Sequence, residues 1–459
     1  MGVTWVQIVQ LFVSLSILIT LHELGHFVAA KYFKTRVDKF YLFFDFLFPL
    51  ATVWNFALFK KKIGETEYGI GWFPLGGYVK IAGMVDESMD KDQMNQPPQP
   101  WEYRSKPAWQ RLIIIMGGIT VNFFLGMIIF IFIMGIWGEE YLPNKNLKYG
   151  IACDSMMLKA GLQNGDKIVS IDGEKIINFN TVNAKLLFDK TQKVVVERNG
   201  EEKEIDLQKY RDEKTFEKIE KTRRMLVDAR FPFVVDSVTN KPLLRVGMRP
   251  YGEKILSVND NPIFYYDEFK TQMLSNKNKK IRLKTIRDGK MIMTYEVTVP
   301  DNGLLGFRPK SPDEFLKIER IHYNPLQAIP AGIRMTFDKL FGYVRSLKIL
   351  FDPELKGYKY IGGFGAMASS TPKEFSMEGF MIFTAVISIV LAFMNFLPIP
   401  MLDGGYVVFI LYEMITKKQP SEKFMEVTNY FGMIFLLGLM IYANGNDFLR
   451  SNFVQSFIK

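Results

Sequence analysis

Cysteine and histidine are scarce in this chain of 459 residues, which holds one cysteine and three histidines. A single cysteine, Cys153, excludes an intrachain disulfide and a zinc site built from several thiolates, so we expect a small core residue. Nucleic-acid-binding motifs are also missing, and the lysines between positions 190 and 320 are scattered among acidic residues. Despite the net charge of +10, we therefore expect no nucleic-acid partner.

Long apolar segments, in contrast, are abundant. Hydrophobic residues make up 48% of the chain and charged residues 23%, as in a membrane protein with large polar parts. A spanning helix needs about 20 apolar residues. Four segments meet or approach this length, and they predict a multi-pass protein in a lipid bilayer: 3–30, 112–138, 380–402 and 427–443. A fifth segment, 42–59, contains Asp45, Pro49 and Asn55, which favours a membrane-dipping hairpin or interfacial loop.

The first apolar segment contains an HExxH motif at His22, Glu23 and His26. Residues four apart share a helix face, so both histidines can bind one Zn²⁺ while Glu23 acts as a base toward water. The alternative interpretation is a solvated helix end just past the membrane. Polar residues in an apolar run cost roughly 2.5–3.5 kcal/mol each near the bilayer centre, and this cost favours the metal site.

A second motif, NFLPIPMLDGG, occupies residues 395–405 at the end of the third apolar segment. Catalytic zinc characteristically takes three protein ligands, so Asp403 can complete a site with the two histidines. Pro398 and Pro400 break regular helix, which is tolerated at membrane depth where the chain lines a cavity. A simple helix stop with a turn is the alternative. The HExxH motif elsewhere in the chain favours the active site.

Together the two motifs resemble those of the site-2 protease family of intramembrane zinc metalloproteases, in its bacterial regulator-of-sigma-E protease type. The segments PLGGYVK at 74–80 and GITVNF at 118–123 fit the same pattern. The resemblance implies one Zn²⁺ per chain, catalysis by Glu23 as the base, and a substrate strand held by Asn395. It also implies the zinc ligands, which are His22, His26 and Asp403.

The activity implied by the resemblance is hydrolysis of peptide bonds within the transmembrane segment of single-span membrane proteins. Substrates of this kind include a pre-trimmed anti-sigma factor and remnant signal peptides. The segment 40–60 departs from the family pattern, because it is longer and more aromatic than the usual glycine-containing hairpin. The alternative function is a noncatalytic membrane scaffold that binds chain termini. The presence of Glu23 and Asp403 favours the enzyme.

One pattern occurs twice between residues 139 and 310: AGLQNGDKIVSIDG at 160–173 and VGMRPYGEKILSVN at 246–259. It resembles tandem PDZ domains, in which an open sheet edge beside a helix takes up an extended peptide or a chain terminus. The equally weighted alternative is a pair of spacers or a size filter. In the resembled family, such a tandem is thought to bar substrates with bulky outer domains.

The predicted fold class is an α-helical polytopic membrane core of about four transmembrane helices, with a membrane-associated β segment and two β-rich PDZ-like domains. An amphipathic helix over 324–351 is expected on the outer leaflet or against the second PDZ-like domain. The predicted segments are transmembrane helix 1 with HExxH (1–35), a cytoplasmic-side membrane-associated β segment and loop (36–108), transmembrane helix 2 (109–138), the PDZ-like domains (139–225 and 226–310), an amphipathic interfacial helix and linker (311–378), transmembrane helix 3 with the LDG motif (379–406), a cytoplasmic loop (407–426), and transmembrane helix 4 with the tail (427–459).

Basic residues cluster beside the membrane segments, at 31–39, 104–111 and 417–423. The positive-inside rule places these clusters in the cytoplasm. We therefore expect a protein of the bacterial inner membrane, with a periplasmic PDZ-like region and an active site near the cytoplasmic side. The first helix carries the HExxH motif and follows no basic segment, so we expect it to be retained rather than removed as a signal peptide.

Overall fold

The computed structural model describes most of the chain, in two compact units: unit 1 is Met1–Gly138 with His322–Lys459, and unit 2 is Glu139–Ile321. Most of the aromatic segment predicted as a hairpin lies outside the described residues. The described residues are 3–45, 56–73, 76–84, 97–188, 193–207, 226–238, 243–244, 247–249, 251, 253–301, 303–350 and 361–450.

The described helices are α1 (Trp5–Tyr32), α2 (Ala108–Ile136), α3 (Ser155–Lys159), α4 (Val182–Phe188), α5 (Tyr266–Ser275), α6 (Pro325–Leu350), α7 (Phe364–Ser369), α8 (Met377–Phe396), α9 (Asp403–Thr416) and α10 (Glu422–Arg450). Four of them, α1, α2, α8 and most of α10, are long and apolar enough to cross a membrane. The prediction of about four transmembrane helices is therefore confirmed by length and composition.

The described strands are β1 (Val37–Leu42), β2 (Ala57–Ile63), β3 (Thr66–Gly71), β4 (Tyr78–Ile81), β5 (Glu139–Tyr141), β6 (Ile151–Cys153), β7 (Lys167–Ile171), β8 (Glu174–Lys175), β9 (Lys193–Arg198), β10 (Glu201–Asp206), β11 (Val227–Ala229), β12 (Val235–Val238), β13 (Glu253–Val258), β14 (Asn261–Pro262), β15 (Lys280–Arg287), β16 (Met291–Thr298), β17 (Phe307–Pro309) and β18 (Glu319–Ile321). In unit 1 they form one sheet, of order β2-β3-β1-β4. Strand β4 is therefore an edge strand of that sheet.

In unit 1, α1 and α2 cross at two glycines. A Cβ atom on Gly25 would lie 2.4 Å from the carbonyl oxygen of Gly117, and a Cβ atom on Gly117 would lie 2.5 Å from that of Gly25. Glycine is needed here because any side chain would force the two backbones apart. The crossing brings the turn of α1 that contains the HExxH motif against α2.

The third predicted transmembrane helix differs from the structure. Helix α8 ends at Phe396, and Asp403 is the first residue of α9, which continues to Thr416. The predicted cytoplasmic loop at 407–426 therefore contains most of a 14-residue helix. The prolines between the two helices end α8, as expected. Helix α9 is not predicted from the sequence, because Gly404 and Gly405 after Asp403 are typical of a helix end.

Glycine also lets α9 fold back on the chain that precedes it. A Cβ atom on Gly404 would lie 2.1 Å from the carbonyl oxygen of Leu397. Met401 has φ of 72°, a left-handed conformation that costs about 1–3 kcal/mol in a residue other than glycine. The bend is thus sharply specified, and it fixes where Asp403 begins the next helix.

Helix α6 is the amphipathic helix that the sequence predicts, and it packs on α2 and α8 in unit 1. A Cβ atom on Gly332 would lie 2.5 Å from backbone atoms of Ile131 in α2. The Phe337 ring also contacts Phe123, with ring centroids 6.0 Å apart. Neither of the two locations expected from the sequence included this packing on a spanning helix.

In unit 2 the sequence repeat forms two sheets with the same strand order, β10-β9-β7-β8 and β16-β15-β13-β14. The repeat also conserves one ion pair. In the first sheet, Arg198 pairs with Asp166 and donates to the carbonyl oxygen of Gly161. In the second, Arg287 contacts Glu253 and Gly247 in the same way. The two β-rich domains are therefore structural repeats of each other.

The boundary between these domains differs from the predicted one. Strand β11, assigned by sequence to the second domain, pairs with β6 of the first. Leu316 likewise packs in the core of the first domain. The pairing joins residues far apart in the chain, which a local sequence pattern does not reveal. Cys153, in β6, packs against this core as expected, and burial raises the pKa of its thiol to about 12.

Candidate active site

Three side chains that the sequence analysis singled out converge in unit 1. His22 Nε2 and His26 Nε2 lie 3.2 and 3.4 Å from Asp403 Oδ2, and the two nitrogens are 3.2 Å apart. The histidines come from one face of α1, four residues apart, as predicted. The aspartate comes from the first turn of α9, because the bend after α8 carries it back to α1.

The three ligand atoms fit a zinc ion. Atoms about 2.0–2.1 Å from a tetrahedral zinc lie about 3.3 Å from one another, close to the three separations here. Asp403 Oδ2 is buried, and no described residue donates a hydrogen bond to it. A buried carboxylate oxygen without a donor is costly unless a cation neutralises it. Two imidazole nitrogens and one carboxylate oxygen are also a ligand set that zinc accepts.

Helix α2 orients His26 through its backbone. The Nδ1 atom of His26 lies 2.9 Å from the carbonyl oxygen of Ile114, which can only accept a hydrogen bond. Nδ1 therefore carries the proton, and Nε2 keeps a lone pair directed at Asp403. This contact cannot be predicted from sequence, because any residue type supplies a backbone carbonyl.

Helix α2 also contacts His22, through Asn122, whose amide lies 3.4 Å from His22 Nδ1. Asn122 Oδ1 is buried without a partner among the described residues. A half-turn of the amide places Oδ1 as acceptor for His22 Nδ1–H and leaves Nε2 free to bind metal. In the sequence, Asn122 belongs to the family-like segment 118–123, which predicts no role for this residue. Its spacing from Ile114 and Gly118 signals one helix face.

Replacing Asn122 with alanine is expected to lower zinc affinity by about 10–100-fold, since outer partners of a metal-binding histidine have effects of this size. Zinc affinity is measured by competition with a chromogenic chelator on the purified full-length protein. Ser14→Ala is the control, because it removes a buried hydrogen bond to Thr384 without contacting a histidine. Unchanged zinc affinity in Asn122→Ala would show that the amide does not orient His22.

The remaining predicted residues also lie at this site. Glu23 is buried and lines the same cavity as the three ligand residues. The Asn395 amide lies 3.3 Å from His22 Nε2, on the ligand side of the ring. Val79 and Ile81 of β4 line the cavity from the sheet. The cavity is thus lined by the Glu23 carboxylate, the three ligand residues and the edge strand of the sheet, and the Asn395 amide lies beside His22.

Several named proteases are similar to this chain over nearly its whole length. The chain is 27% identical over 463 residues to the regulator of sigma-E protease RseP of Escherichia coli, covering 95% of this chain and 97% of that protein. It is 26% identical over 448 residues to a provisionally named zinc metalloprotease of Rickettsia conorii, covering 96% and 98%. The regulator of sigma E protease of Haemophilus influenzae is 26% identical over 457 residues, covering 95% and 97%.

A family profile extends the same relationship over nearly the whole sequence. It is that of peptidase family M50, and it matches residues 10–439, a range that includes both motifs and the repeat between them. The predicted resemblance to site-2 proteases is confirmed by this match and by the names of the relatives. This chain belongs to peptidase family M50.

Proposed function

We propose that this protein hydrolyses peptide bonds within the transmembrane segment of single-span membrane proteins, with Glu23 as the base. The proposed zinc ligands are His22, His26 and Asp403. The observation that carries the proposal is the convergence of three ligand atoms, 3.2–3.4 Å apart, within a core of apolar helices. Family membership and the relatives' names support a zinc-dependent peptidase of site-2 type. A noncatalytic scaffold is not favoured, since binding chain termini requires no such ligand set.

The chemistry divides between the metal and the protein. Zinc, when bound, polarises a carbonyl group and lowers the pKa of water toward about 7. The Glu23 carboxylate accepts a proton from the attacking water and returns it to the nitrogen of the leaving amide. Glu23 suits this role because it is buried in the same cavity as the ligands, where little bulk water competes for the proton.

The substrate must present an extended backbone, because a helix hides its peptide bonds in internal hydrogen bonds. We propose that the unwound stretch of the substrate lies beside β4, the edge strand of the sheet in unit 1. Two side chains of β4, Val79 and Ile81, line the cavity with the ligand residues. The Asn395 amide, 3.3 Å from His22 Nε2, is close enough to hold the stretch at the reacting carbonyl.

The four apolar helices make this a multi-pass membrane protein. We propose that it resides in the bacterial inner membrane, with the β-rich domains in the periplasm. The basic residues after α1, before α2 and after α9 support a cytoplasmic location for those ends. Because His26 lies near the end of α1, the active site would then be near the cytoplasmic side.

The β-rich domains are proposed to be PDZ-like and to differ in peptide binding. In the first domain, Asn183 of α4 accepts hydrogen bonds from the backbone N–H groups of Leu226 and Val227 and donates to the Val227 carbonyl. The neighbouring Ala229 N–H donates to the Asp228 side chain. These are the groups of β11 that an added peptide strand would use. We propose that the first domain is closed to peptides and serves as a spacer or size filter.

The second domain has a different residue at the corresponding position. Aligning the buried residues Val182 and Leu186 of α4 with Phe269 and Met273 of α5 places Lys270 opposite Asn183. Lys270 is exposed, and a lysine at this position would attract a terminal carboxylate. We propose that peptide termini bind only at this domain, beside β17.

We expect Lys270→Glu to weaken binding of a fluorescent peptide with an apolar, free C-terminus by about three- to tenfold, since a surface charge is reversed. Binding is measured by fluorescence anisotropy on the full-length protein. The exposed Lys279→Glu, with the same charge change, is the control and should bind normally. If binding survives Lys270→Glu and becomes stronger in Asn183→Ala, which frees the backbone groups of β11, the peptide site belongs to the first domain.

The proposed activity is tested by reconstituting the full chain with Zn²⁺ and a tagged single-span substrate that lacks its outer domain. The expected result is a cut within the span that stops on zinc chelation and in Asp403→Asn. Absence of cleavage across a panel of varied spans, with zinc bound, would contradict the proposed function and favour the scaffold.

A further inference from the structure

One face of helix α2 carries a stripe of buried residues, two of which contact the active-site histidines. Arg111, Ile114, Gly118 and Asn122 lie three or four positions apart and are all buried. Ile114 and Asn122 contact the two histidines. Arg111 lies at the end of α2 that is proposed above to face the cytoplasm. Its partner lies on α9, the helix that carries Asp403.

That partner is Glu413 in the last turn of α9. The guanidinium of Arg111 forms an ion pair with the Glu413 carboxylate, and the two side chains are only 10% and 16% exposed. Arg111 Nε also donates to the carbonyl oxygen of Lys106, and Gln419 donates to Glu413. Both partners are thus held by further hydrogen bonds, unlike a solvent-exposed ion pair, whose side chains move freely.

Helix α9 links this ion pair to the ligand set. It begins at Asp403 and carries Glu413 ten residues later, about 15 Å along its axis at 1.5 Å per residue. Between them, Val407 and Ile410 pack in the same core as Ile114. The apolar core resists separation of the helices but is less specific about sliding, whereas a charge pair at the far end specifies the register.

We propose that Arg111 and Glu413 are positioning residues that set the register of α9 against α2 and so keep Asp403 Oδ2 within ligand distance of both histidines. This inference rests on the proposed function, because it takes Asp403 as a zinc ligand. Neither side chain is among those that line the cavity, so the pair acts through Asp403 and not on the substrate.

The test compares Arg111→Gln, Glu413→Gln and the exchanged pair Arg111→Glu with Glu413→Arg, all in the full-length protein. Each single change is expected to lower zinc affinity by about 10–100-fold, as loss of outer-shell support does. The kcat value on a single-span substrate should fall while KM stays near that of the wild type. The exchanged pair should recover most of the zinc affinity, because it restores the attraction with opposite direction.

Arg198→Gln is the matched control, since Arg198 forms a similarly buried ion pair with Asp166 in unit 2. It should lower the unfolding temperature without changing zinc affinity. If Arg111→Gln fails to fold, Glu413→Gln and the exchanged pair still decide the question. Wild-type zinc affinity in the single variants, an equal loss in Arg198→Gln, or no recovery in the folded exchanged pair would overturn the inference. A wild type that binds no zinc contradicts the proposed function instead.

Discussion

Replacing Glu23 with glutamine is expected to abolish cleavage while leaving zinc binding and folding intact. Glutamine has the size of glutamate but cannot accept the proton of the attacking water, and general base catalysis contributes about 10²–10⁴-fold to the rate. Glu23 supplies none of the three converging ligand atoms, so the neutral glutamine should leave the zinc affinity near that of the wild type. A large loss of kcat with one zinc still bound is the signature of a base.

The measurement is single-turnover cleavage of a tagged single-span substrate in bilayers, with zinc content determined on the same samples. Glu374→Gln is the control, because it makes the same chemical change at an exposed residue between α7 and α8. It should cleave at the wild-type rate. Cleavage by Glu23→Gln within a few-fold of the wild type would remove Glu23 from the mechanism, whereas parallel loss of zinc would make it a ligand.

The ligand residues could be predicted from sequence because their chemistry is carried by side-chain type and short-range spacing. His22 and His26 share a helix face through helical geometry alone, and Asp403 stands out as a carboxylate beside an apolar segment. The structure brings all three together. Their proposed role in zinc binding remains a prediction until zinc affinity is measured in variants.

The parts that sequence could not supply depend on contacts between residues far apart in the chain. The Ile114 carbonyl beside His26 has no signature in residue type. Strand β11 pairs with β6, although all four strands of the β10-β9-β7-β8 sheet lie between them in the sequence. The start of α9 at Asp403 depends on a bend in which Gly404 passes close to the Leu397 carbonyl. Local sequence patterns predict the helices and strands but not these contacts between distant residues.

Gly118 of α2 is a further position where close packing determines the chemistry, and Gly118→Ala is expected to eliminate zinc binding. A Cβ atom there would lie 2.4 Å from His26 Nε2 and 2.7 Å from His22 Nε2. Neither ring can withdraw without cost, since Ile114 and Asn122 hold the opposite nitrogens. The methyl group therefore occupies space that the ligand atoms need, and a loss of zinc affinity beyond about 100-fold is expected, with no detectable cleavage.

Gly135→Ala is the matched control for this prediction, because it makes the same change in the same helix. A Cβ atom at Gly135 would meet only the Ala328 Cβ, at an ordinary 3.5 Å. Alanine is favoured over glycine in a helix by about 1 kcal/mol, so neither variant should lose helical stability. Chelator competition and cleavage on both proteins separate the outcomes. Wild-type zinc affinity in Gly118→Ala would show that the histidine rings do not occupy the positions that make them ligands.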